Sequence, residues 1–165
     1  GLEATHYFQP SQAAYANGCH VAEVAVDIET GSVEILRYVV AHDCGNLINP
    51  LIVDGQVQGG VAHGIGNALL EYLHYDEDAN PLTTTFAEYL LPTAELVPNV
   101  EILHLETPTP NNPLGVKGAG EGGTLPAAAV IAAAIDDALS PFGVRFRDAP
   151  IWPHQIVSAI EKAAS

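Results

Sequence analysis

The sequence predicts an α+β domain, a small mixed sheet packed with helices in the order β-β-α-β-α-α. Three observations predict it. Residues 21–41 alternate with period two around a central turn, residues 51–72 switch to helical spacing, and an alanine-rich stretch at 125–139 follows a glycine loop. No internal repeat and no linker divides the chain, so residues 1–165 are read as a single domain.

Residues 1–19 are polar and aromatic without a clear period and are expected to run extended. In Val21–Ile28, Ala22, Val24, Val26 and Ile28 share one face and Glu23 and Asp27 the other, which is strand spacing. Glu29-Thr30-Gly31-Ser32 has turn chemistry, and the β-branched run Val33–Ala41 completes an antiparallel hairpin. Residues 42–50 read as a loop. From Leu51 the apolar positions Val53, Val57, Val61, Ile65, Leu69 and Tyr72 fall three or four apart, so a helix is expected. It carries Gly55, Gly59, Gly60, Gly64 and Gly66, each costing about 1 kcal/mol against alanine. Such a cost implies that a neighbouring helix or a ligand must approach this backbone closely. Tyr72–Tyr75 is read as a short strand, 76–81 as a turn, 91–98 as a loop and Val100–Glu106 as a strand. The glycine loop 115–123 precedes a helix over Leu125–Leu139 with Thr124 as its N-cap, and Pro153 starts a last amphipathic helix reaching Ala164.

Composition excludes several classes. The 165 residues are 48% hydrophobic with mean hydropathy +0.18, which is incompatible with a disordered tail. Twenty acids against five bases give a net charge of −15, so no nucleic-acid or anionic-membrane partner is expected. There is no leader-like segment and no apolar run of transmembrane length, so a soluble, cytoplasmic domain without membrane insertion is expected. Cys19 and Cys44 form no CxxC pair, and the seven histidines include no helical His-x-x-x-His pair. His42 beside Asp43 and Cys44 is the one mixed cluster, and no metal bound by protein side chains is expected.

The densest chemical signal is Gly115-Val116-Lys117-Gly118-Ala119-Gly120-Glu121-Gly122-Gly123 running into a helix. Glycines there expose backbone N–H groups, and the helix dipole adds partial positive charge. The loop is neither a Walker A motif nor a dinucleotide fingerprint after a strand. Glu121 is its one acid, expected to be held ionised by the dipole. It is either a general base or an acid that stabilises the helix start. Lys117 is either a solvated counter-charge or a contact to an anionic ligand. Gln56, in Asp54-Gly55-Gln56, is either an exposed helical residue or a donor and acceptor for a heterocycle. Asp43 and Asn49 read as loop residues that hydrogen-bond backbone. No Gly-x-Ser-x-Gly is present to support a serine hydrolase.

Three separated motifs occur in order: His42-Asp43-Cys44-Gly45 through Asn49-Pro50; Gly55-Gln56 with Gly59-Gly60 and Gly64-Ile65-Gly66; and the 115–123 loop. Together they resemble the molybdenum hydroxylase large subunit, the family of xanthine dehydrogenase, aldehyde oxidase and the aerobic carbon monoxide dehydrogenases. The Gly-Glu-Gly-Gly form looks more like the bacterial carbon monoxide dehydrogenase branch. The resemblance implies a molybdopterin cofactor, with cytosine dinucleotide as the form a bacterial source would suggest. It implies oxidation of an aldehyde, N-heterocycle or similar small molecule with water as oxygen source. It puts Glu121 at the position of the catalytic base, which deprotonates a hydroxyl or water ligand on molybdenum. Gln56 matches a glutamine on the pterin, and Lys117, Gly118, Ala119 and Gly120 lie on the segment bordering the cofactor. The metal is held by the pterin dithiolene, which accounts for the missing ligand cluster.

Family large subunits are several times longer, so the chain is expected to be the C-terminal part of a longer or split subunit and inactive alone. The implied partners are the remainder of that subunit or a complementary chain, iron–sulfur and flavin (FAD) subunits, and a small-molecule substrate. The alternatives are a non-catalytic assembly module of the same fold, or an unrelated nucleotide binder using Gly118–Gly123.

Overall fold

The computed structural model describes residues 1–164 and has the expected element order. Strands β1 (Asn17–Val26) and β2 (Val33–Asp43) form an antiparallel hairpin with a register shift at Glu23/Val24. Strand β3 (Val100–His104) pairs parallel with β2, giving a mixed sheet in the order β1-β2-β3. A parallel neighbour needs a crossover, and helix α1 (Pro50–Leu69) lies within it. Helices α2 (Ala127–Ala138) and α3 (Pro153–Ala163) follow, with a 3-10 turn at Ser140–Phe142 between them.

Local chemistry explains the joints. Asp27 accepts hydrogen bonds from the Glu29 and Thr30 amides, and Gly31 takes φ 74° in a turn seated on the Pro153 carbonyl. Asn49 caps α1 by accepting from Ile52 N, and Pro50 occupies the first turn where no N–H is needed. Gln155 accepts from the Trp152 amide at the start of α3.

The core joins the buried face of β2 (Tyr38, Val40) to Val57, Val61 and Ile65 of α1, Ala127, Ile131 and Ile135 of α2, and Ile156 of α3. Glycines set how closely α1 meets the segment leading into α2. A Cβ at Gly60 would sit 2.8 Å from Gly123 Cα and C and from Thr124 N. One at Gly64 would overlap the Ala127 methyl, and one at Gly123 would overlap the Val57 carbonyl. Helix–helix approach therefore accounts for two of the α1 glycines.

Several boundaries differ from the sequence reading. β1 begins at Asn17 rather than Val21, because Gly18, Cys19 and His20 pair with His42, Ala41 and Val40 across the hairpin. Residues 72–75 form no strand, only an isolated bridge between Tyr75 and Pro81. Helix α2 starts at Ala127, and Thr124 is not its N-cap; the Thr124 hydroxyl instead donates to the Gly60 carbonyl at 3.2 Å. Glu121 consequently stands a full turn ahead of the helix, where its carbonyl accepts from Thr124 N and Leu125 N.

Candidate functional site

The glycine loop hangs between two anchored ends. At the first, the Lys117 amide donates to Cys44 O at 2.7 Å, and Val116 bridges to Gly45. The Lys117 ammonium turns inward, donating to Thr107 Oγ1 at 2.8 Å and lying 3.4 Å from Asp43 Oδ1, with side-chain exposures of 10% and 8%. Asp43 also accepts from the Gly45 amide and from the Thr107 amide and hydroxyl. Burial alone pushes the Asp43 carboxyl up, but the hydrogen bonds from Thr107, Gly45 and Lys117 outweigh it and bring it down to about 2. Asp43 is therefore an ionised structural anchor.

At the second end, His20 Nε2 donates to the Gly122 carbonyl at 3.1 Å, and Gly123 packs against the Val57 backbone. His20 and His42 lie on one face of the sheet, since His20 opposes Val40 and side chains two apart share a face. His104 continues that row beside His42 and meets Asp54 of α1 at 2.6 Å. The buried face of the sheet is thus apolar around Tyr38, Val40 and Val100 and histidine-rich at the loop end.

Between the anchors, the side chain of Gln56 makes the one cross-strut, donating from Nε2 to Gly120 O at 3.0 Å. Glu121 is exposed, and among the described residues its carboxylate makes no hydrogen bond or ion pair. It stands on the ridge between two clefts. One, of about 330 Å³, is lined by Gly55, Gln56, Gly59, His63, Gly120 and Glu121; the other, of about 740 Å³, by Asn17, Gly18, His42, Gly118, Glu121 and Gly122, among others. Neither cleft has a lysine or arginine in its lining. A separate apolar cavity of about 540 Å³, bordered by Ile35, Ile65, Leu96 and Ile151, lies at the opposite end of α1, away from Glu121.

The glycines around these clefts fall into two sets. Gly60, Gly64, Gly122 and Gly123 are filled against by this chain's own atoms. At Gly55, Gly59, Gly118 and Gly120 an added Cβ would meet nothing within 4 Å, so packing inside the chain does not account for them. Their bare backbone, gathered around Gln56 and Glu121, fits a broad flat group pressed against this wall.

The structure therefore brings Gln56, Gly118, Gly120 and Glu121 to one pair of clefts. It does not bring Lys117 or half-buried Ala119 to either lining. Sequence reasoning missed His20, and it noted His42 only as part of a mixed cluster and of the first motif. The period-two spacing of Tyr38, Val40 and His42 carried the signal that His42 shares the buried face.

Known proteins resemble this chain over most of its length. Residues 1–98 match the family model for the molybdopterin cofactor-binding domain. The nicotine 6-hydroxylase large subunit of Paenarthrobacter nicotinovorans is 43% identical over 159 residues, 96% of this chain and 20% of that one. The carbon monoxide dehydrogenase large chain of Hydrogenophaga pseudoflava is 34% identical over 162 residues, 98% and 20% of the two chains. The crystal structure of quinoline 2-oxidoreductase from Pseudomonas putida 86 superposes with TM-score 0.87 at 43% identity, covering 89% of this chain and 19% of that one. The chain thus spans about a fifth of the length of the relatives it matches.

Proposed function

The chain belongs to the molybdopterin cofactor-binding domain family, and on that premise we propose that it walls the cofactor pocket of a molybdenum-dependent hydroxylase or dehydrogenase and supplies the base, Glu121. The reaction class is oxidation of an aldehyde, an N-heterocycle or a similar small molecule with water as oxygen source. A C–H bond and water become C–OH, two protons and two electrons. The carrying observation is the unpartnered Glu121 carboxylate on the ridge between two clefts, beside the open glycines Gly55, Gly59, Gly118 and Gly120.

When bound, molybdopterin supplies the metal that acidifies water and accepts the electron pair. The chain's residues do the rest. The open glycines let the cofactor reach backbone. Gln56 keeps one N–H on Gly120 O and retains a second N–H and its Oε1 for a heterocycle. Glu121 accepts the proton released from water at a carboxylate oxygen. Lys117 acts through Asp43 and Thr107, holding the loop rather than meeting the ligand. In this reading the cofactor is the cytosine dinucleotide form. The electrons leave through iron–sulfur and FAD centres on other chains in the cytoplasm, and this segment is inactive alone. No helix among the described residues is long and apolar enough to cross a membrane.

The test is Glu121→Gln in the complete large subunit assembled with its partner chains. Hydroxylation is assayed on benzaldehyde, quinoline and hypoxanthine, alongside molybdenum and pterin content. The expected result is retained cofactor with turnover lowered about 10²-fold or more. Near-wild-type turnover with full cofactor would remove Glu121 from the mechanism. Absence of molybdenum and pterin from the wild-type assembly would instead make the chain a non-catalytic assembly module.

A further inference from the structure

Gly122, the residue after Glu121, is gripped by two buried histidines from adjacent strands, one of them on its carbonyl. His20 is 8% exposed and His42 1%. His20 Nε2 donates to Gly122 O at 3.1 Å, while its Nδ1 lies 2.9 Å from the Tyr38 hydroxyl. A carbonyl only accepts, so Nε2 carries the proton; the neutral ring then takes the Tyr38 O–H at Nδ1. The tautomer is thereby fixed from both sides. His42 touches Gly122 sterically. A Cβ at Gly122 would overlap its Cε1 and stand 2.8 Å from its Nδ1. Opposite His42 on β1 is Gly18, where an added Cβ would lie 3.9 Å from His42 Nδ1, in ordinary contact.

We propose that His20 and His42 are positioning residues that fix the Gly122 peptide and so set the direction in which Glu121 projects from the ridge. The inference rests on the reading of Glu121 as the base. The geometry supports it independently of the cofactor. Residues 118–121 have one side-chain strut, from Gln56, so the direction of Glu121 is inherited mostly from its C-terminal side, where its own carbonyl accepts from Thr124 N and Leu125 N and His20 holds the next carbonyl, Gly122 O. Burial pushes both imidazoles below the ordinary histidine range, His42 with help from nearby His104, so both are neutral at pH 7 and the grip is present under working conditions. The His42 Nε2 is buried without a partner, and this ring fits its space by shape rather than by hydrogen bonding.

The experiment uses the complete large subunit in its assembly and reads amide hydrogen exchange across residues 118–125, where the Thr124 and Leu125 amides donate to the Glu121 carbonyl, with kcat and KM on whichever of benzaldehyde, quinoline or hypoxanthine the wild type oxidises. His20→Leu removes the donor and is expected to speed exchange there about tenfold and lower kcat with little change in KM. His20→Gln, which keeps an N–H at similar reach, is expected to restore both. Gly122→Ala is expected to damage the loop with His42 present and to be rescued by His42→Ala. These paired variants keep the test decisive if His20→Leu does not fold. Unchanged loop exchange in His20→Leu, or Gly122→Ala tolerated beside an intact His42, overturns the proposal. If exchange responds as expected but Glu121→Gln remains active, the positioning of the loop stands and the assignment of the base falls. If Glu121→Gln is dead and exchange does not respond, the reverse holds.

Discussion

Gly59→Ala and Gly60→Ala alter adjacent residues of α1 and are expected to shift stability in opposite directions. At Gly59 the new methyl meets nothing within 4 Å. The substitution then gains only helix propensity, about 0.5–1 kcal/mol. At Gly60 the methyl lands 2.8 Å from three backbone atoms, Gly123 Cα, Gly123 C and Thr124 N, none of which can rotate away. Overpacking of this kind costs about 1–3 kcal/mol. Net of the propensity gain, Gly60→Ala is expected to destabilise by up to about 2.5 kcal/mol. Thermal unfolding of the chain reads both: a 1 kcal/mol change moves Tm by about 2–4 °C at this size. In the complete large subunit the order inverts in meaning, because the stabilising Gly59→Ala is expected to lower molybdenum and pterin content by obstructing the open wall. A fall in Tm for Gly59→Ala would refute the claim of empty space beside it. A rise in Tm with cofactor content unchanged would refute the use of that space by the cofactor.

Two further outcomes concern the anchors. The Asp43 carboxyl is lower in the folded chain, at about 2, than in the unfolded one, so the unfolded state binds the proton first as pH falls. Its contribution, about 2 kcal/mol, is complete above about pH 4 and lost as pH drops toward 2. Lys117→Met removes one of the groups holding Asp43 ionised, and the acid limb of a urea-midpoint-against-pH curve is expected to move to higher pH; an unmoved limb would mean that the ion pair does not stabilise the fold. Gln56→Glu replaces the donor to Gly120 O with an acid beside Glu121. It is expected to reduce the pterin retained by the large subunit, measured by fluorescence after release, and unchanged pterin content would leave Gln56 as a solvent-exposed residue.

The sequence carried the fold through its periodicities. The hairpin, α1 and the third strand followed from alternation at Ala22, Val24 and Val26, from the spacing of Val57, Val61 and Ile65, and from the strand read at Val100–Glu106, which ends at His104; the order β1-β2-β3 was not legible. The motifs singled out Glu121 and Gln56 as site candidates, and the fold brings them to one cleft. What stayed hidden depends on pairs far apart in the chain. Lys117 finds Asp43, and His20 finds Gly122, through tertiary packing that no local pattern encodes. Thr124 looked like an N-cap because a hydroxyl there accepts from helix N–H groups, yet α2 starts three residues later and the hydroxyl instead donates to Gly60 O on α1. Nor can composition distinguish Gly59, which faces open space, from Gly60, which faces backbone. That difference is one step of rotation around a helix whose neighbour the sequence does not specify.

The absence of basic side chains from both cleft linings divides the labour of ligand capture. On the proposed reading of a dinucleotide cofactor, its phosphates meet a segment of net charge −15, which repels them at long range. On the same reading, counter-ions for those phosphates come from outside this segment. Ionic strength is then expected to govern cofactor uptake through those distant cations, leaving the two clefts of this segment to select by shape.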